Sequence, residues 1–183
     1  MKKRYIALSA LLIIVGLALC FVSLSMVGFD FIKMFNDNSE EKTYEIKSDI
    51  TSIDIRDLTN DIEIRKSPDG VSKIVYFDNN RYICAISEDN GKLSIKSDYQ
   101  GKWYNHISVF NSDKDIVLYL SKDVYDSLYV DSDTSDIKSV EGVSFNSINI
   151  SLDTGDVKLA LIDGKEINVS TDTGDISIKS SAI

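Results

Sequence analysis

Asp153-Thr-Gly155 and Asp172-Thr-Gly174 repeat the tripeptide that carries the catalytic carboxylate of aspartic proteases. That chemistry needs two aspartates brought together from two lobes or subunits, so that they share one proton. Here the copies lie 19 residues apart, as equivalent parts of neighbouring repeats, and Asp61 and Asp136 of two related segments are left without a role. A tight turn accounts for all of them. Asp131, Asp133 and Asp136 are spaced like the start of a calcium loop. The sixth position holds Asp136 instead of glycine, the last holds Gly142 instead of glutamate, and flanking helical patterns are missing. The remaining metal reading is weak calcium, of millimolar affinity, between aspartates stacked in successive turns. Trp103 and Tyr104, near Tyr99, His106 and Phe110, either stack on a planar ligand or cover the end of a core. His106 is the sole histidine, and Cys84 sits in the apolar run Tyr82–Ile86, so no nucleophile–base pair forms. No phosphate loop, zinc cluster or cofactor motif is present. The residues therefore point away from an enzyme: no catalytic residue, metal ligand or cofactor is assigned, and the binding residues are open.

The elements that hold these residues are β-strands. After Thr43 apolar and polar residues alternate, as in Ile53-x-Ile55, Ile62-x-Ile64, Leu93-x-Ile95 and Ile107-x-Val109, with turn residues between. With one proline, Pro68, the strands run largely uninterrupted. Three segments align without gaps: Leu128-Tyr-Val-Asp-Ser-Asp-Thr-Ser-Asp-Ile137, Ile148-Asn-Ile-Ser-Leu-Asp-Thr-Gly-Asp-Val157 and Ile167-Asn-Val-Ser-Thr-Asp-Thr-Gly-Asp-Ile176. A diverged copy stands upstream at Ile53-Asp-Ile-Arg-Asp-Leu-Thr-Asn-Asp-Ile62. The unit is strand, tight turn, strand.

At the third turn position stand Asn60, Ser135, Gly155 and Gly174, which predicts a left-handed backbone where asparagine replaces glycine cheaply and valine does not. Asp153 and Asp172 are expected to accept N–H groups two residues on, as Asx turns. Second turns fall at Glu141-Gly142 and Asp163-Gly164, leaving strands of about five residues. A β-solenoid, with equivalent residues stacked in parallel ladders, fits near-identical successive units. Stacked aspartates about 4.8 Å apart repel, by about 0.9 kcal/mol per pair in water, which Lys138 and Lys158 partly offset. The alternative is an antiparallel meander or sandwich. Residues 71–126 lack the repeat and read as hairpins, one of them joining Ile74–Phe77 to Tyr82–Ile86 around Asn79-Asn80.

From Tyr5 to Phe29 no residue is charged, a span of about 37 Å as a helix, against a hydrocarbon core of about 30 Å. Lys2, Lys3 and Arg4 precede it, so the N-terminus is expected in the cytoplasm and the rest outside the cell membrane, in a single-pass arrangement. A cleaved signal is the alternative, with Ser23-Leu-Ser25 as a weak site; Cys20 follows leucine, unlike a lipoprotein cysteine. The expected organisation is an anchor over 1–35, a polar stalk over 36–43 and an extracellular β-repeat domain over 44–183. Setting aside the three basic residues before the anchor leaves 17 basic against 29 acidic residues, a net charge of −12. Such a surface repels nucleic acid.

The repeated Ile-Asn-Ile/Val-Ser-x-Asp-Thr-Gly-Asp-Ile/Val, behind one membrane helix, resembles the bacterial "putative adhesin" family of β-strand-repeat proteins. Ile116-Val-Leu-Tyr-Leu120 followed by Leu128-Tyr-Val130 looks like that family's entry into its repeats. The resemblance covers residues 44–183. It implies an all-β, solenoid-like fold and a Gram-positive envelope location, and supplies no catalytic residue to carry over. No cap follows the last repeat before Ile183, so the final unit is expected either to meet a partner or to come from a shortened frame. Two functions remain: adhesin-like binding of an envelope glycan, peptide or protein, or an accessory or sensor role in envelope-stress signalling through a membrane partner.

Overall fold

A computed structural model describes residues 2–26, 40–57, 59–78, 82–99, 115–140, 142–161 and 166–180. It divides into two units. The first contains α1 (Lys2–Met26), the one described helix long and apolar enough to cross a membrane. Leu8, Leu12, Ile14 and Leu17 point in different directions around it, and all are exposed. Ser9 Oγ donates to the Tyr5 carbonyl (2.5 Å) and Ser25 Oγ to the Phe21 carbonyl (2.9 Å), so these hydroxyls need no water.

The second unit is all β. The three downstream repeats form β8 (Val124–Thr134) with β9 (Ile137–Ser139), β10 (Ser144–Thr154) with β11 (Val157–Leu161), and β12 (Glu166–Thr173) with β13 (Ile176–Ser180). Successive copies pair in parallel and in register, with Leu128 beside Ile148 and Ile148 beside Ile167. The same holds across the turn, where Val157 lies between Ile137 and Ile176. Parallel pairing of like residues is solenoid geometry, and it rules out the meander. The strands are unequal. β8 and β10 run 11 residues each, whereas β9 has 3 and β11 has 5.

The upstream copy, β2 (Ser52–Asp57) with β3 (Ile62–Lys66), stacks directly on the first downstream copy, pairing Ile53 with Leu128 and Ile62 with Ile137. On its other side lie β6 (Lys92–Tyr99) and β7 (Ile116–Leu120), pairing Ile53 with Leu93 and Ile62 with Ile116. The segment between the repeats therefore supplies a coil of its own. Asn90 and Gly91, at φ 48° and 77°, form the hairpin turn joining β5 (Tyr82–Asp89) to β6. The expected hairpin about Asn79-Asn80 does not form. β4 (Lys73–Asp78) and β5 enter different sheets, because β4 pairs with β7 and with β1 (Glu40–Glu45). β1 also takes in Glu40–Thr43, so the sheet begins inside the polar stretch read as a stalk.

Among the described residues the result is two sheets, ordered β1-β4-β7-β3-β9-β11-β13 and β12-β10-β8-β2-β6-β5. Their inward faces meet in one core. Ile53, Ile55, Leu93, Ile95, Leu128, Val130, Ile148 and Ile150 of one sheet are buried with Ile62, Ile64, Leu118, Ile137, Val157 and Leu159 of the other. Cys84 packs half-buried against this core.

A clamp closes the end near β1. Glu88 accepts from Tyr44 Oη (2.9 Å), Lys47 N (3.1 Å), Ser48 N (2.6 Å) and the Ser48 hydroxyl. The Ser48 hydroxyl, followed by backbone N–H groups, holds this carboxyl down to about 2, from an ordinary 4.5. A depressed carboxylate stabilises the fold fully above its unfolded value and loses that contribution as pH falls through the folded one. In urea melts, the stability gap between wild type and Glu88→Gln should therefore be full at neutral pH and close between 4.5 and 2. A gap that stays constant with pH contradicts the clamp.

Candidate functional site

The Asp-Thr-Gly tripeptides run from the ends of β10 and β12 into the turns that follow. Asp153 and Asp172 are exposed at one lateral edge of the solenoid, one coil apart, with Thr154 paired to Thr173. The described strands place no second lobe over them. The expected Asx turn at Asp153 is corrected: Gly155 N–H donates to the Thr173 carbonyl of the next coil (2.9 Å), as Ser135 N–H does to that of Thr154 (3.0 Å).

The fourth turn residue does the capping, and it does so between coils. Asp61 Oδ1 accepts Asp136 N–H (2.8 Å), Asp136 Oδ1 accepts Asp156 N–H (2.8 Å), and Asp156 Oδ1 accepts Asp175 N–H (3.0 Å). Each carboxylate meets a donor, so the ladder holds coils together where bare charges would push them apart. The Asp175 N–H, then Lys158 Nζ at 2.9 Å, keep the Asp156 carboxyl below its ordinary range. Lys138 points instead to Glu63, at 3.5 Å. Among the described residues no group of three acidic, histidine or cysteine side chains is placed to hold a metal, and the stacked aspartates direct oxygens at N–H groups. Asp61, Asp136 and Asp156 therefore tie successive coils together.

Gly155 and Gly174 have φ of +141° and +142°, as the turn required. The reason is steric and comes from the neighbouring coil. A Cβ at Gly155 would lie 1.9 Å from the Ser135 carbonyl oxygen, and one at Gly174 would lie 2.1 Å from that of Gly155. Asparagine is thus no substitute, which corrects the sequence reading. Among described non-glycine residues only Asn90 has positive φ, so Asn60 and Ser135 close their turns differently. Asn60 Nδ2 donates to both Asp57 oxygens (3.0 and 2.8 Å), and the Ser135 and Ser132 hydroxyls bond at 2.5 Å in the interior.

The outer face of the six-stranded sheet is different. Parallel register lays its outward residues in rows: Ser52, Ser127, Ser147 and Glu166; Asp54, Tyr129, Asn149 and Asn168; Arg56, Asp131, Ser151 and Ser170. Adjacent members stand about 4.8 Å apart. Where β8, β2 and β6 adjoin, an open cleft of about 370 Å³ is lined by Ser52, Ile53, Asp54, Arg56, Lys92, Ser127 and Tyr129. Asp54 is buried there, accepting from Lys92 Nζ (2.5 Å) and Arg56 Nε (3.3 Å). Burial alone would raise its carboxyl; the bonds from Lys92 and Arg56 outweigh that and hold it below the ordinary value. The Arg56 guanidinium lies 5.5 Å from the Tyr129 ring centre and fixes the ring beside the cleft. On the opposite sheet Glu63 pairs with Arg65 and Lys138, and Lys158 with Asp156.

Trp103, Tyr104, His106 and Phe110 lie outside the described residues, and so does Asp163-Gly164. Asn149 and Asn168 stand side by side in one outward row, which sequence reasoning does not single out. These amides occupy the outward position of the repeat, between two buried-type residues.

Comparison with known proteins bears on the fold. A putative cell adhesion protein from Clostridium sporogenes ATCC 15579 is similar in structure, with TM-score 0.56 at 10% identity over 79% of this chain and 100% of that one. A putative adhesin from Bacteroides fragilis NCTC 9343 gives 0.37 at 11% identity over 80% and 98%, too distant to carry an argument. No curated protein matches the chain. The family model described as Toastrack DUF4097 matches residues 50–183, from just before β2 through the last repeat, and the chain belongs to that family.

Proposed function

We propose that the protein is a single-pass membrane protein whose β-solenoid stands outside the cytoplasmic membrane and binds an extended neutral glycan without chemistry. The observation that carries this reading is the set of in-register rows on the six-stranded sheet, where hydroxyls and amides outnumber the charged Asp54, Arg56, Asp131 and Glu166, with Tyr129 at the cleft. Rows of equivalent donors and acceptors suit a polymer that repeats its own hydroxyls, and a fixed tyrosine offers a face for a sugar ring. The helix supports tethering, because Tyr5–Ser23 is apolar on every side and Ser9 and Ser25 bond to carbonyls within the helix. Lys2, Lys3 and Arg4 before it support a cytoplasmic N-terminus. The net charge of −12 beyond them disfavours anionic polymers.

The test uses the full chain in detergent micelles, titrated with oligomers of N-acetylglucosamine as the neutral probe. Tyr129→Ala should weaken binding by about tenfold, the loss of one stacked ring. Asp153→Asn with Asp172→Asn should leave it unchanged. Absence of binding, or equal loss from both sets, overturns the assignment to this face.

A further inference from the structure

We propose that the β12/β13 end of the solenoid is a docking surface for the same end of a second copy of this chain. These are the last strands of the two sheets, and among the described residues their outer edges pair with nothing. Ile167, Ile176 and Ile178 are 39%, 45% and 41% exposed, whereas the same positions one coil earlier, Ile148, Val157 and Leu159, are 1%, 0% and 2% exposed. What covers a coil in this fold is another coil edge. Asp175 also ends the aspartate ladder. Its N–H reaches Asp156, and no further described turn follows to donate to its carboxylate.

The two ends of the solenoid differ, and the difference selects the occupant. β1 carries Glu40, Glu41, Lys42 and Glu45 along the edge strand at the far end, a charged edge that discourages strand addition. Stacking of one copy's last coil on another's first strands is thereby disfavoured at the β1 edge. Asp175 and the β13 residues that follow it form a self-complementary segment. Run antiparallel about Ser177, Asp175-Ile-Ser-Ile-Lys179 sets Asp175 against the partner's Lys179 and Ile176 against the partner's Ile178, each pair formed twice. Alternation keeps both isoleucines on the core side and both charges on the solvent side. A two-fold contact of this kind is closed, so it ends at a dimer.

Cross-linking of the full chain in membranes tests this. Under mild oxidation Ser177→Cys should give a disulfide-linked dimer, whereas Glu41→Cys and the unsubstituted chain, with its own Cys20 and Cys84, should not. Asp175→Lys or Lys179→Asp alone should lower dimer formation, read by light scattering in detergent, by about tenfold, since each sets like charges opposite one another. The double variant should restore it. Linkage at Glu41 equal to that at Ser177, a monomeric unsubstituted chain, or a double variant no better than the singles overturns the proposal.

Discussion

Replacing Gly155 by alanine should cost the solenoid about 3 kcal/mol, and asparagine should fare no better. The backbone at φ +141° is one that side-chain-bearing residues rarely adopt. The added Cβ would also stand 1.9 Å from the Ser135 carbonyl oxygen, so the turn must shift and the bond from Ser135 N to the Thr154 carbonyl must loosen. Alanine suffices for this collision. Gly174→Ala meets a similar carbonyl at 2.1 Å, but on the last described coil, which can move away with fewer neighbours, so its loss should be smaller. Urea melts of the three variants decide the matter. A loss under about 1 kcal/mol for Gly155→Ala, or a clear advantage for asparagine, would return the position to an ordinary left-handed turn.

Leu118→Ala should be as damaging as any change within the repeats, about 3 kcal/mol in a range of roughly 2–5. Its segment shows no repeat, yet β7 lies between β4 and β3, with Leu118 fully buried and paired to Ile74 on one side and Ile64 on the other. Truncation leaves a cavity that rigid sheets on both sides cannot collapse around. If β7 were peripheral to the solenoid, the same change would stay within about 0.5 kcal/mol.

These two residues show how far the sequence reached. The solenoid was legible because each coil stacks on its own likeness, so a contact between sheet neighbours recurs as a period of about 20 residues along the chain. The stacking of Ile53 on Leu128 was not, since the intervening chain hides the adjacency and only the strand edges select it. The role of the aspartates was half legible. Their alignment showed a turn, but the N–H that Asp136 or Asp156 receives belongs to another coil, so local turn rules assigned the capping to Asp153 instead. Gly155 was recognised as a glycine position for its backbone angle, while the closer constraint, a carbonyl from the neighbouring coil, has no local trace. The rows on the six-stranded sheet were hidden for a related reason. Nothing in their own segments marks Asn149 and Asn168, and only parallel register sets them in a row.

Hydrogen exchange on the full chain, with and without oligomers of N-acetylglucosamine, tests the central claim most directly. Binding along the six-stranded sheet should slow exchange over 52–56, 127–131 and 147–151, while the turns at 153–156 and 172–175 keep their rates. Protection confined to those turns, or hydrolysis of the oligomer or of a peptide substrate that Asp153→Asn and Asp172→Asn abolish, would contradict it.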